Sequence, residues 1–387
     1  MIKLQGTTYT GFEKIENALI TVEDHNIMSI HGADKAADDA VVLPADYKIV
    51  PGFIDVHIHG ANGADVMDGT KEALDTMSQA LPQEGTTSYL ATTMTESRNR
   101  IDQAIENVGH YLNKEHTGQA EVIGIHLEGP FINPDKAGAQ PLDAILTPNM
   151  DQFQAWQRMS GGMIKLVTVA PEMTNGQSFV KHLSEHNVVA SIGHSNGSMT
   201  DIKEAVSNGA THVTHLFNGM RGMHHREPGV VGGAYYHDQL YTELIADGIH
   251  VHPDAVHITY KTKGKDRLVL ITDAMRAKCL KNGHYDLGGQ DVTVKDGEAR
   301  LDDGTLAGSV LQMKHGFQNM LTFTDAAIED LVYMTAMNPA KQAGVIDRKG
   351  TLEPGKDADM TILDHNNDVY MTICRGEIVF QREELTT

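Results

Sequence analysis

Residues 49–60 read IVPGFIDVHIHG. An apolar run here ends in Asp55, His57 and His59 at alternate positions, and on a strand alternate side chains share one face. Two imidazoles at i and i+2 near a strand end can serve one metal region, neutral imidazole being the commonest side-chain ligand. Seven further apolar runs follow: TTSYLATT (86–93), EVIGIHLE (121–128), MIKLVTVAPE (163–172), VVASIGH (188–194), THVTHLF (211–217), LYTELIADGIH (240–250) and RLVLITD (267–273). Nearly all end in a polar residue. Amphipathic stretches such as KEALDTMSQALPQEG, DQFQAWQRMS, QSFVKHLSEHN and TDIKEAVSNGA lie between them, several closing on Gly as helix ends do. Eight βα repeats predict an α/β fold of the TIM-like (β/α)8 kind. An open doubly wound sheet would carry a GxGxxG turn after its first strand and would not ask for polar residues at nearly every strand end.

Both ends of the chain are different. Residues 1–50 alternate in the manner of short strands (KLQGTTYT, NALITVEDHNIMSIHG, AVVLPADYKIV), and GTLEPGKDADMTILDHNNDVYMTICRGEIVF repeats the pattern near the C-terminus. The expected organisation is an N-terminal β segment 1–50, a barrel 51–345 and a C-terminal β segment 346–387. Residues 285–301 add a hairpin turning at Lys295-Asp296-Gly297. Glu383-Glu384 reads as a solvated tail.

Composition narrows the function. The 387 residues are 40% hydrophobic and 21% charged, as in globular proteins. Lys+Arg is 31 against Asp+Glu 52, a net charge of −21, which opposes nucleic acid and anionic membranes as partners. Cys279 and Cys374 are the only cysteines, so no disulfide scaffold is expected and a cytoplasmic setting is. The first 20 residues lack the apolar core of a signal peptide, and no run of about 18 apolar residues occurs.

Twenty-one histidines direct attention to metal ligands. Glu128 ends the third run, His194 the fifth and Asp273 the eighth. His212 and His215 are three apart and so face oppositely on a strand, which leaves His215 at the mouth. Buried unpaired, Asp273 would be costly, so it needs a cationic or metal neighbour. His57, His59, Glu128, His194, His215 and Asp273 thus gather at one end of the barrel. Nitrogen and oxygen donors without thiolate suit Zn²⁺ or Fe²⁺. An acidified water beside a carboxylate base is the machinery of amide hydrolysis.

PGFIDVHIHG, the later single histidines and the strand-end Asp resemble the amidohydrolase superfamily. HLEGPFINP, SIGHSNG, THLFNGM followed by HHREPG, ADGIHV, ITDAM and LAGS are similar to its N-acetylglucosamine-6-phosphate deacetylase family, over roughly residues 40–380. The resemblance implies a barrel with a small β-sandwich built from both termini, a homodimer, and one or two divalent ions per subunit. It implies Glu128, His194 and His215 as ligands of the principal metal, His57 and His59 as the first-strand pair, and Asp273 as catalytic acid/base. For the sugar phosphate it implies Asn218 and Gly219 on a substrate loop, Arg226 and His250 on the phosphate, with Arg226 reaching in from the other subunit, and Leu306, Ala307 and Gly308 along the sugar. The family usually reads Gly-Ala-His after the third strand; this chain reads Gly138-Ala139-Gln140, and Gln140 can donate an N–H but cannot carry charge. A bridging carboxylated Lys has no place here, since Lys165 sits at the wrong end of the fourth run and Ala170 at the mouth. The expected activity is deacetylation of N-acetylglucosamine 6-phosphate. The alternatives are the N-acetylgalactosamine 6-phosphate epimer and, from a different class, a non-catalytic sugar-phosphate sensor.

Overall fold

The computed structural model describes residues 1–383. Glu384 of the expected acidic tail, and the rest of the segment to 387, lie outside them. Eight parallel strands pair in chain order: β1 (Phe53–Ile58), β2 (Thr86–Thr93), β3 (Glu121–Glu128), β4 (Ile164–Val169), β5 (Val189–Ile192), β6 (His212–Val213), β7 (Tyr241–Leu244) and β8 (Leu268–Leu270). Each falls inside one of the eight apolar runs. Just past β8, the Asp273 N–H donates to His57 O at 2.8 Å, and Ile58 and Ala274 form a parallel bridge. Those contacts bring the last strand back to the first and close the barrel. The strands read as near-continuous apolar runs because both faces are covered, and every residue of β1 and β2 is buried.

The four amphipathic stretches contain helices Lys71–Ala80, Met150–Met159, Gly176–Glu185 and Met199–Ser207. Local chemistry sets their starts. Thr70 and Asn149 accept from the N–H groups of Ala73 and Gln152, and Ser198 with Asp201 forms a reciprocal capping box. Helix 176–185 buries Phe179, Val180 and Leu183, and Phe179 meets Phe131 and Phe153 edge-on. Each such side chain contributes about 1.5–3 kcal/mol by leaving water.

The chain ends form one sheet. Lys48–Pro51 pairs parallel to Ile2–Tyr9 and antiparallel to Met360–Leu363, so it joins the N-terminal strands to the C-terminal ones. That sheet curls on itself: His25 Nδ1 donates to Arg375 O at 2.9 Å, and Ala358 N–H to His25 O. A Cβ on Gly376 would stand 2.3 Å from Asp24 O, so only glycine lets the two halves touch. Leu4, Ile20, Val22 and Ile27 from one half pack with Met360, Ile362, Met371 and Ile373 from the other, the core of a small β-sandwich. The hairpin expected at 285–301 carries one more strand than foreseen. Gly283–Leu287, Gln290–Lys295 and Glu298–Arg300 form a meander, because Gly288-Gly289 turns as tightly as Asp296-Gly297, with positive φ at all four.

Candidate active site at the barrel mouth

Glu128, the last residue of β3, stands at the centre of the mouth. Its Oε1 lies 3.2 Å from His194 Nε2 and 3.1 Å from His215 Nε2, and those two nitrogens are 3.1 Å apart. Ligands on a tetrahedral ion at about 2.0–2.1 Å are separated by about 3.3 Å, so this near-equilateral triangle has the dimensions of one coordination face. A second set adjoins it. His57 Nε2 is 3.3 Å from Glu128 Oε1 and 3.4 Å from Asp273 Oδ1; His59 Nε2 is 3.2 Å from Glu128 Oε2 and 3.3 Å from Asp273 Oδ1. All six side chains are buried. The donor set therefore fits one divalent ion on Glu128, His194 and His215, and has room for a second on His57 and His59 with Glu128 shared.

Electrostatics agree with that fit. Burial alone would push the His57 and His59 rings towards neutrality. The carboxylates of Glu243, Asp273 and Glu128 overcome it, holding His57 well above its ordinary value and lifting His59 to about 10. Burial likewise disfavours the Glu128 carboxylate, yet His57, His194 and His215 hold it well below the usual range. An ion bound here would take the place of those ring protons as the positive charge.

Behind these side chains lies a shell that fixes their rings. Glu243, inside β7, accepts from His57 Nδ1 at 2.9 Å, from the His215 N–H at 3.0 Å and from His212 Nε2 at 3.1 Å. His57 is thereby held with Nε2 turned to Glu128, an arrangement that would raise its basicity as a ligand. His194 Nδ1 donates to Lys136 O at 2.7 Å with the same result. His126 is close to His57 but is no ligand. Its Nδ1 donates to Val56 O at 3.1 Å and its Nε2 meets Thr168 Oγ1 at 2.8 Å, and burial with the neighbouring His57 charge lowers its pKa to about 3. His194, His215 and Asp273 all adopt positive φ (44°, 28° and 49°), which L-residues avoid. Strain of this kind, held by the surrounding fold, gathers at functional sites. Gly219 completes the wall, where a Cβ would stand 2.9 Å from His194 Nδ1.

A cavity of about 330 Å³ opens over this cluster. Of the residues expected at the substrate, Ala139, Gln140, Asn218, Gly219, His250, Leu306 and Gly308 line it. Ala307 is buried and gives its N–H to Ala299 O. Arg226 is not brought in: it is exposed on its loop, with Nη1 2.8 Å from His225 Nε2. Nor does it pair with Glu227, which accepts from the Met199 and Gly229 N–H groups instead. Gln140 is engaged within the site, donating from Nε2 to Glu128 Oε2 at 2.8 Å and accepting from the Thr95 N–H at 2.8 Å. Sequence reasoning passed over Glu243, which sits mid-run in LYTELIADGIH; its charge inside an apolar run was the available signal. It also passed over Asp247, which holds His250 at 2.6 Å, and Arg300 in the cavity wall.

The model of the amidohydrolase family matches residues 49–379. The chain belongs to the amidohydrolase family. Within that family it is 46% identical over 379 residues to the N-acetylglucosamine-6-phosphate deacetylase of Bacillus subtilis (strain 168), covering 97% of this chain and 96% of the relative. Among amidohydrolases of known structure, the N-acetylglucosamine-6-phosphate deacetylase of Thermotoga maritima superposes with a TM-score of 0.89 at 31% identity, over 99% of this chain and 100% of the other. A variant of the Mycobacterium smegmatis deacetylase, in complex with N-acetyl-D-glucosamine-6-phosphate, gives 0.93 at 28% identity over 98% and 99%.

Proposed function

We propose that this amidohydrolase removes the acetyl group of N-acetylglucosamine 6-phosphate, releasing acetate and glucosamine 6-phosphate. The observation that carries the reading is the Glu128–His194–His215 triangle with Asp273 beside it at the floor of a cavity sized for a sugar. Family membership and the activity named for the similar deacetylases support it.

Zn²⁺ or Fe²⁺ is the ion that this donor set suits, and when bound it supplies Lewis acidity and acidifies water to near neutral pH. The chain's own residues do the rest. Asp273, whose carboxylate His57 and His59 keep ionised against burial, accepts the proton of the attacking water at Oδ1 and returns it to the departing amine. Gln140 binds Glu128 with one of its two amide hydrogens, leaving the other for the acetyl oxygen. Asn218 and Gly219 flank the sugar from one side, Leu306 and Gly308 from the other, with the buried Ala307 holding that segment to Ala299. His250, fixed by Asp247, presents Nε2 to the phosphate. Arg226 reaches the phosphate of a partner's site in a homodimer; its exposure, shared with neighbouring Met223 and with Tyr236, supports a loop that docks elsewhere. Among the described residues no helix is long and apolar enough to cross a membrane. Free thiols at Cys279 and Cys374 suit a cytoplasmic enzyme.

Acetate release from the 6-phosphates of N-acetylglucosamine and N-acetylgalactosamine, with bound metal measured on the same sample, tests the reading. Faster turnover of the gluco epimer is expected. Preference for the galacto epimer would transfer the assignment to that substrate, and metal-loaded protein that released no acetate from either would end it.

A further inference from the structure

The cavity must hold an anion inside a protein of net charge −21. Arg226, the expected phosphate ligand, lies outside it. Only one Lys or Arg lines the cavity among the described residues, and that is Arg300. It ends the third strand of the meander that stands over the mouth. The Arg300–Leu306 antiparallel bridge, with Leu301 N–H to Thr305 O and Ala307 N–H to Ala299 O, ties it to the segment lining the sugar side.

Arg300 is also held in place. Its Nε donates to Glu298 Oε2 and its Nη1 to Gly304 O, each at 2.6 Å. Nη2 makes no bond among the described residues, so both of its hydrogens remain for a ligand in a plane already set. The half-exposed Glu298 partner offsets part of the charge but leaves the donor edge free. His250 and Thr305 share the wall, and the Arg300 charge is near enough to His250 to counteract some of the pKa rise that Asp247 causes there after burial is overcome. A fixed guanidinium and an imidazole whose Nδ1 is anchored make a corner that suits phosphate oxygens.

We propose that Arg300 binds the 6-phosphate of the substrate from within the same chain, beside His250, and so sets the preference for phosphorylated sugar. The proposal rests on the sugar-phosphate reading above. Binding and turnover separate the two. Metal-loaded protein is titrated calorimetrically with glucosamine 6-phosphate and with glucosamine, as wild type, Arg300→Ala and Arg300→Lys, with acetate release followed in parallel. Arg300→Ala is expected to weaken glucosamine 6-phosphate tenfold or more and to leave glucosamine unchanged. Arg300→Lys, which keeps charge and stem but not the fork, should fall between. Equal affinity of wild type and Arg300→Ala for the phosphate ester, or equal weakening of both ligands, would overturn the proposal. Should Arg300→Ala fail to fold, Arg300→Lys decides: an unaltered affinity for the phosphate ester overturns it. Phosphate-dependent binding without acetate release would remove the catalytic reading alone.

Discussion

Two buried charge clusters in this molecule solve the same problem differently. Where the barrel meets the terminal sheet, Lys349 lies against Glu121 at 2.7 Å, Asp357 at 3.0 Å and Asp359, while Arg348 pairs with Glu121 and Asp357. Three carboxylates there meet two permanent cations. At the mouth, among the described residues, the charge partners of Glu128, Asp273 and Glu243 are histidines, with no Lys or Arg paired to them. Buried carboxylates require a counter-charge in both places. At the junction the chain provides one that cannot leave. At the mouth it provides rings that would become neutral ligands if an ion bound, so the second cluster suits exchange and the first does not.

Asp273→Asn gives the largest effect expected from that contrast. Shape and metal stay while the proton acceptor goes, and general acid–base help is worth about 10²–10⁴ in rate. A kcat loss of at least that order with metal retained is the expected outcome, and near-normal turnover would remove Asp273 from the mechanism. Lys349→Met should do the opposite, costing about 3–5 kcal/mol of stability because it leaves the buried Asp359 carboxylate without its cation, while metal content stays as in wild type. Unchanged thermal stability would show the junction cluster to be ornamental. Acid should expose the same difference. Burial disfavours the Glu121 carboxylate, but Lys349 and Arg348 outweigh it and hold it at about 2 instead of 4.5. The stability it contributes is complete above its unfolded value and disappears as pH falls towards 2, a dependence that Lys349→Met should flatten in acid melts.

Glu243→Gln sharpens the comparison from the mouth side. It keeps the size of the group that orients His57 but removes its charge, and loss of such a partner commonly costs about 10–100-fold in metal affinity. Competition with a chelator should read that loss with the fold intact by circular dichroism; an unshifted affinity would reduce Glu243 to a packing role. Arg226→Ala is the smallest of these effects, a rise in KM of about tenfold for the phosphate ester with unphosphorylated sugar hardly altered, as expected for one lost Arg–phosphate contact. Mixing it with Asp273→Asn subunits should restore activity if Arg226 serves a partner. No recovery after demonstrated subunit exchange would confine Arg226 to its own chain.

That the six side chains at the mouth gather could be read from the sequence because each lies at or near the end of an apolar run, and a barrel brings strand ends together whatever the loops do. Glu243 escaped since it belongs to the strand interior, where its meaning depends on which rings surround it. The bond of Gln140 to Glu128 joins a loop to a strand end and follows from no periodicity. Arg300 was invisible for a related reason: the hairpin signal at Lys295-Asp296-Gly297 marks a turn, but where the meander leans is decided by packing. The eight runs located the barrel strands, and the alternation at both termini located the terminal sheet; Lys48–Pro51, read within the N-terminal segment, also pairs with Met360–Leu363, a link that pattern alone does not show.

The central claim is that the mouth is a metal-dependent deacetylase site, and one titration tests it most directly. Protein stripped by chelation is given Zn²⁺ or Fe²⁺ in steps, and acetate release from N-acetylglucosamine 6-phosphate is followed at each step, beside the His194→Ala and His215→Ala variants. The account predicts no turnover without metal, activity that rises with the first one or two ions per chain, and no recovery in either variant. Full turnover by stripped protein, or variants that bind metal and turn over like wild type, would contradict it.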